Sequence, residues 1–219
     1  NLTDISDCAH SHGVEVGIIV EMDIGHGRAG VRDVDHAIKL ASLVSNLPGV
    51  KYEGIMGYEG HCVFIESLEE RRDASGRAYK MLLSYKEALS LAGFEPKIVS
   101  SAGTGTYLIA GVQEGITDIQ AGSYIFMDSR YADVEGVDFE QSLSVLTSVV
   151  SHPEKDVYIC DAGTKSMSEE FGIVLTLPSS NLKVKSMSEE YITLVSDPRS
   201  RDTEKPYLSR LDKLYGSDT

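Results

Sequence analysis

The sequence predicts an α/β chain in which a parallel strand–helix array is followed by a separate antiparallel β domain. Three observations predict it. Apolar runs rich in Val and Ile alternate with segments of helical periodicity over the first part of the chain. Near residue 138 the texture changes to short strands without helices between them. Chemistry-bearing residues cluster just after each early strand, as in a (β/α) barrel or a doubly wound sheet. The expected domains are therefore 1–137 and 138–219.

The elements follow in order. NLTDISDCAHSHG reads as a helix closing on Gly13. VEVGIIVEMDIG, at 14–25, is nearly continuously apolar and reads as a strand buried on both faces. DVDHAIKLASLVSNLPGV carries Ala37, Leu40, Ala41, Val44 and Leu47 at helical spacing, with Asp33 as N-cap. YEGIMGYEG is the second strand, and 66–92 is a long helix stopping at Gly93. PKIVSSAG holds the third strand and TDIQAGSYIFMD the fourth. Beyond them, LSVLTSVVS, DVYICDAG, FGIVLTL, LKVKSMS and YITLVS read as strands. SMSEE occurs at 166–170 and again at 186–190, either as a duplicated hairpin or by chance. The tail from Asp197 reads as a loop.

Composition narrows the function classes. The 219 residues carry a formal net charge of −14, which disfavours nucleic acid and anionic lipid as partners. No run of apolar residues is long enough to span a membrane, and no signal peptide is visible. The three widely spaced cysteines, Cys8, Cys62 and Cys160, point to a reducing, cytoplasmic compartment rather than a disulfide framework.

Four clusters sit at the strand ends. EMDIGHGRAG holds Asp23, His26 and Arg28. GYEGH holds Tyr58, Glu59 and His61. VSSAGTGTY places Ser101, Gly103 and Thr104 at a strand-to-helix turn, where backbone amides and a helix N-terminus favour a phosphate. IQAGSYIFMD holds Gln120, Gly122, Ser123, Tyr124 and Asp128. Each has a plainer reading. Arg28 alone suits a surface ion pair, and the glycines 103 and 105 suit a tight turn. His61 and Cys62 are adjacent and cannot both point into one metal site from a strand. GHGRAG does not fit the dinucleotide fingerprint. Together, on one end of a sheet, the clusters suit a phosphorylated aromatic cofactor.

These residues resemble the D-threonine aldolase and D-serine dehydratase family, whose members have an alanine racemase-like N-terminal barrel. MDIGHGRAGV, GIMGYEGH, SSAGTGTY, ITDIQAGSYIFMD and, more weakly, CDAGTKSMSEEFG carry the resemblance. It implies pyridoxal 5′-phosphate, with Ser101, Gly103 and Thr104 on the phosphate, helped by Gly122, Ser123 and Tyr124. It places His61 near the ring, Tyr58 or Gln120 at the ring nitrogen, and Arg28 near the ring hydroxyl or the substrate carboxylate. His61 and Arg28 are the expected catalytic residues. The implied reaction is cleavage of a D-3-hydroxy amino acid, D-threonine giving glycine and acetaldehyde. The alternatives are dehydration of D-serine and a non-catalytic cofactor-binding relative. The family adds a divalent metal (Mn, Mg or Zn) and forms homodimers.

The resemblance is incomplete. The family's cofactor lysine ends the first barrel strand, and the four strands here look like the second half of an eight-stranded barrel. Lys51 and Lys97 sit at strand beginnings; Lys39, Lys80 and Lys86 sit on helices; Lys165 follows the DAG of the β domain. Tyr191 stands where relatives often carry a metal-binding His. The expectation is an internal piece of a longer protein, silent by itself, that lacks the lysine and the metal ligands.

Overall fold

The computed structural model describes residues 1–170, 172, 174–176 and 181–196. The chain divides into two units, Asn1–Gly122 and the residues from Ser123 onward.

The first unit opens with α1 (Leu2–Ser11), then alternates β1 (Val16–Met22), α2 (Val34–Asn46), β2 (Val50–Gly57), α3 (Leu68–Leu91), β3 (Ile98–Ser101), the single turn α4 (Tyr107–Ala110) and β4 (Asp118–Ile119). The four strands are parallel in the order β1-β2-β3-β4. Local chemistry sets the helix starts. Asp33 caps α2 by accepting from the His36 amide at 2.8 Å, and Ser67 caps α3 by accepting from the Glu70 amide. Gly93, at φ +89°, ends α3 in a backbone conformation that L side chains rarely adopt.

α3 buries one stripe: Ala78, Tyr79, Leu82, Tyr85 and Leu89 face inward at intervals of one to four residues. Leu82 and Leu89 pack with Ala37 and Ala41 of α2 on Ile55 and Val99 of the sheet. Each such leucine contributes about 2 kcal/mol by leaving water. Arg71, 1% exposed, lies at the start of this stripe and donates to the Ile65 and Glu66 carbonyls. It thereby fastens the turn that precedes α3.

Two expectations change. β1 is not buried on both faces: it is an edge of its sheet, and Val16 and Ile19 are each 38% exposed. The helix after the SSAGTGT turn is one turn long, because Gly111 and the Ala110–Gln113 turn end it. So short a helix has little macrodipole, and any anion there depends on individual amides.

The second unit is an antiparallel sheet in the order β5-β6-β8-β7, with β5 Val149–Glu154, β6 Val157–Cys160, β7 Leu182–Met187 and β8 Ile192–Ser196. Cys160, Ile192 and Leu194 form its core. The LSVLTS part of the expected first strand is not in the ladder. The Asp161 amide still donates to the Ser148 carbonyl, but the Asp161 carboxylate accepts from the Thr147 hydroxyl and the Ser148 amide, and the regular ladder begins only at Val149. The strand runs on instead through His152 and Pro153, at the sheet edge where a proline is tolerated. The expected FGIVLTL strand falls partly, and the tail from Asp197 wholly, outside the described residues.

The two SMSEE copies differ in form. In the first, the Ser166 and Met167 amides close a turn on the Gly163 carbonyl. In the second, Ser186 and Met187 end β7, and the Ser188 amide and Tyr191 carbonyl pair across the hairpin. The Thr164 amide donates to the Ser188 carbonyl and the Lys165 amide to the Glu189 carbonyl, so the segment leading into the first copy packs on the second.

Candidate active site

The candidate site lies at the C-terminal ends of the parallel strands. The loop after β1 is folded back on its own strand: the Asp23 amide donates to the Val31 carbonyl and the Val31 amide to the Glu21 carbonyl. The Asp23 carboxylate then gathers the Gly25 and Gly27 amides at 3.1 and 3.0 Å and pairs with Arg32 at 3.0 Å. The Gly27 amide foremost, with Gly25 and Arg32, holds its carboxyl below the usual range. Asp23 is thus a loop anchor, and His26 and Arg28 are displayed by the loop it fixes.

His26, Arg28, Tyr58 and His61 come together. The His26 ring meets the Tyr58 ring edge-on at 5.7 Å and lies nearly parallel to His61 at 6.3 Å. The Arg28 guanidinium carbon stands 5.4 Å from the centre of the Tyr58 ring, a cation–π arrangement, and Arg28 also lies 4.0 Å from Glu21. Burial first, and the Glu59 charge second, raise the Tyr58 phenol above its usual range, while Arg28 opposes them. Glycines make this packing fit. A Cβ on Gly25 would stand 3.1 Å from the His61 ring, and one on Gly60 would stand 2.9 Å from the His26 ring and 2.6 Å from Tyr58. His61 is exposed and Cys62 is buried, so they point apart. Burial, with the Glu59 charge, pushes the Cys62 thiol up to about 11.

Glu59 lies beneath this group and is fully buried. Oε1 accepts from the Tyr79 hydroxyl at 2.9 Å and from the Thr106 hydroxyl; Oε2 accepts from the Ser101 hydroxyl at 3.0 Å and from the Ala102 amide at 3.2 Å. Ala102 sits at φ +72°, a left-handed conformation costing a non-glycine residue about 1–2 kcal/mol. The Thr106 oxygen also accepts from the Gly103 amide at 3.1 Å. Every residue from Ser101 to Thr106 is buried. A Cβ on Gly105 would fall 1.9 Å from the Val63 carbonyl, so only glycine fits there. The Gly105 amide has no acceptor among the described residues.

The expected phosphate residues therefore differ in what they offer. The Ser101 hydroxyl is turned to Glu59 and to the Gly57 carbonyl at 2.7 Å. The Gly103 amide is taken by Thr106, while Gly105, which the sequence placed in the turn but not among the phosphate residues, has its amide unpaired. Thr104 is buried in the same turn. Gln120 donates from Nε2 to the Ser100 hydroxyl at 3.0 Å, beside the Met56 sulfur. Met56 and Ser100 are register partners on β2 and β3, so Gln120 lies over adjacent strands. Gly122 has open space around it. Ser123 and Tyr124 begin the second unit as a 3₁₀ turn, with the Tyr124 ring 5.3 Å from Phe139. There Asp128 accepts from the Arg130 and Tyr131 amides.

Among the described residues of the first unit, no lysine stands at the C-terminal end of a strand. Lys51, near the start of β2, pairs with Glu53 at 2.7 Å and Glu15 at 3.4 Å. In the second unit Lys165 pairs with Glu190. Among the described residues no three His, Cys, Asp or Glu side chains group as a metal site. No helix among them is long and apolar enough to cross a membrane.

The chain is 33% identical over 199 residues to the 3-hydroxy-D-aspartate aldolase of Paracoccus denitrificans, covering 87% of this chain and 51% of that protein. It is 31% identical over 214 residues to the D-threonine aldolase of an Arthrobacter species, covering 96% and 56%. The chain thus spans about half the length of these relatives. The crystal structure of D-threonine aldolase from Filomicrobium marinum superposes with a TM-score of 0.84 at 26% identity, covering 95% of this chain and 61% of that one. A serine dehydratase domain model matches residues 142–209. The alanine racemase N-terminal domain model matches residues 1–130, and the chain belongs to that family.

Proposed function

We propose that the chain serves a pyridoxal phosphate-dependent lyase acting on D-3-hydroxy amino acids, with D-threonine cleavage to glycine and acetaldehyde as its reaction. The observation that carries this reading is the alanine racemase-type sheet that gathers His26, Arg28, Tyr58 and His61 above the buried 101–106 turn. The similar aldolases named above support the choice of reaction.

The family implies pyridoxal 5′-phosphate, and the donor set fits it. The unpaired amide of buried Gly105 suits a phosphate oxygen, and withdrawal from water strengthens such a bond. Gly103 and Thr104 share that turn; Gly122, Ser123 and Tyr124 belong to the phosphate reading through the family resemblance alone. Tyr58 and Gln120 stand for the ring nitrogen. The cofactor, when bound, withdraws electrons from the substrate's α-carbon. Arg28 then binds the substrate carboxylate or the ring hydroxyl, held in place by the Tyr58 face. His61, exposed beside the cluster, takes the proton of the β-hydroxyl as the bond between the α- and β-carbons breaks. The described residues offer no metal set, so no step here passes through a metal. A divalent metal (Mn, Mg or Zn), a homodimer and a cytoplasmic location belong to this proposal through the family resemblance alone.

A second reading, dehydration of D-serine, is favoured by the serine dehydratase match at 142–209. The test is to supply the complete gene product, rather than this chain by itself, with pyridoxal phosphate and Mn²⁺ and to offer D-threonine and D-serine separately. Glycine with acetaldehyde supports the aldolase. Pyruvate with ammonia supports the dehydratase. Cofactor binding with neither product overturns the lyase and leaves a non-catalytic relative.

A further inference from the structure

A carboxylate buried beneath the 101–106 turn needs its oxygens satisfied, and here they are. Four groups surround the Glu59 oxygens: the Tyr79 and Thr106 hydroxyls on Oε1, and on Oε2 the Ala102 amide and the Ser101 hydroxyl, whose single proton is shared with the Gly57 carbonyl. The donors come from α3, from the end of β3 and from the turn before α4. One path is a relay: the Gly103 amide donates to the Thr106 oxygen, whose proton goes to Glu59. Ala102 stays left-handed with its amide on the same carboxylate. Glu59 thus consumes the hydroxyls and amides on one side of the turn, and Gly105 is left with its amide unpaired.

We propose that Glu59 is the positioning residue of the phosphate turn: it never touches the ligand, but its carboxylate sets the backbone of residues 101–106 so that the Gly105 amide is presented to a phosphate. The inference rests on the cofactor reading above.

The experiment compares pyridoxine 5′-phosphate with pyridoxine, which lacks the phosphate; neither has an aldehyde to react with surface lysines. Dissociation constants are measured for the unaltered protein, Glu59→Gln and Thr106→Val, each checked for folding by circular dichroism. The unaltered protein should favour the phosphorylated ligand. Glu59→Gln should lose about tenfold of that preference with the pyridoxine constant moving less than about twofold, and Thr106→Val about fivefold. General loosening of the fold would weaken both ligands together. A folded variant that keeps the preference, or loses both affinities equally, overturns the proposal; Thr106→Val decides if Glu59→Gln does not fold. No preference in the unaltered protein overturns the phosphate reading itself, and the proposal with it.

Discussion

The Tyr79 hydroxyl donates to Glu59 Oε1 at 2.9 Å, so a helix outside the sheet grips an acid that the turn after β2 carries inward. Tyr79→Phe removes one of four donors and should cost about 1–2 kcal/mol in urea unfolding. Glu59→Ala takes this acceptor from the Tyr79 and Thr106 hydroxyls and the Ala102 amide, while Ser101 keeps the Gly57 carbonyl, and should cost about 3 kcal/mol or more. Burial, then the Glu59 charge, drives the Tyr79 phenol far above its usual range. In an alkaline absorbance titration it should ionise only as the protein unfolds.

How much of this was readable beforehand depended on distance along the chain. The Asp33 cap and the Gly93 stop involve near neighbours, and the sequence displays them directly. The strand ends of β1, β2 and β3 were readable as well, because apolar runs stop where polar residues begin. Glu59 was visible as a member of GYEGH, yet its role was not. Its partners come from positions 79, 101, 102 and 106, and only the folded chain brings them together. The same limit explains Ser101, expected on the phosphate, whose hydroxyl is turned to a buried acid and the Gly57 carbonyl. For LSVLTS, strand-like composition did not reveal that its last two residues would meet the Asp161 carboxylate.

Gly105 and Gly103 should respond differently to alanine. At Gly105 the new Cβ meets a carbonyl at 1.9 Å, a backbone atom that cannot swing aside. Gly105→Ala should lose about 3 kcal/mol or fail to fold. At Gly103 the nearest atoms are the Val63 side chain at 3.2 Å and Tyr58 at 3.3 Å, which can yield by tenths of an ångström. Gly103→Ala should cost about 1 kcal/mol. Thermal unfolding of the two variants side by side checks the order.

Asp23 should make stability depend on acid in one direction. Its folded pKa lies below the ordinary value of 3.8, through the Gly27 amide foremost. Such a group stabilises fully above its unfolded pKa and loses that contribution as pH falls through the folded value. The stability gap between the unaltered protein and Asp23→Ala should be constant from about pH 5 to pH 8 and shrink below about pH 4. Denaturant midpoints across that range measure it, and a gap that widens in acid would contradict the anchoring role.

Thiol chemistry should separate the cysteines. Cys8 is exposed, whereas Cys62 and Cys160 are buried. Burial raises both buried thiols, Cys62 to about 11, so little nucleophilic thiolate exists at neutral pH. A disulfide reagent should release one equivalent quickly from the native protein, mapped to Cys8. The other two should react only in denaturant.

The paired glycines and histidines at the site couple two stretches of chain through inheritance as well as through space. Gly25 makes room for His61, and Gly60 makes room for His26. A larger residue at 60 needs both Tyr58 and His26 to give way, and one at 25 would be strained at φ +113° even beside a small residue at 61. The two glycines are therefore constrained more tightly than the rings they admit, so a lineage that abandoned the ring cluster would be expected to lose the rings before the glycines.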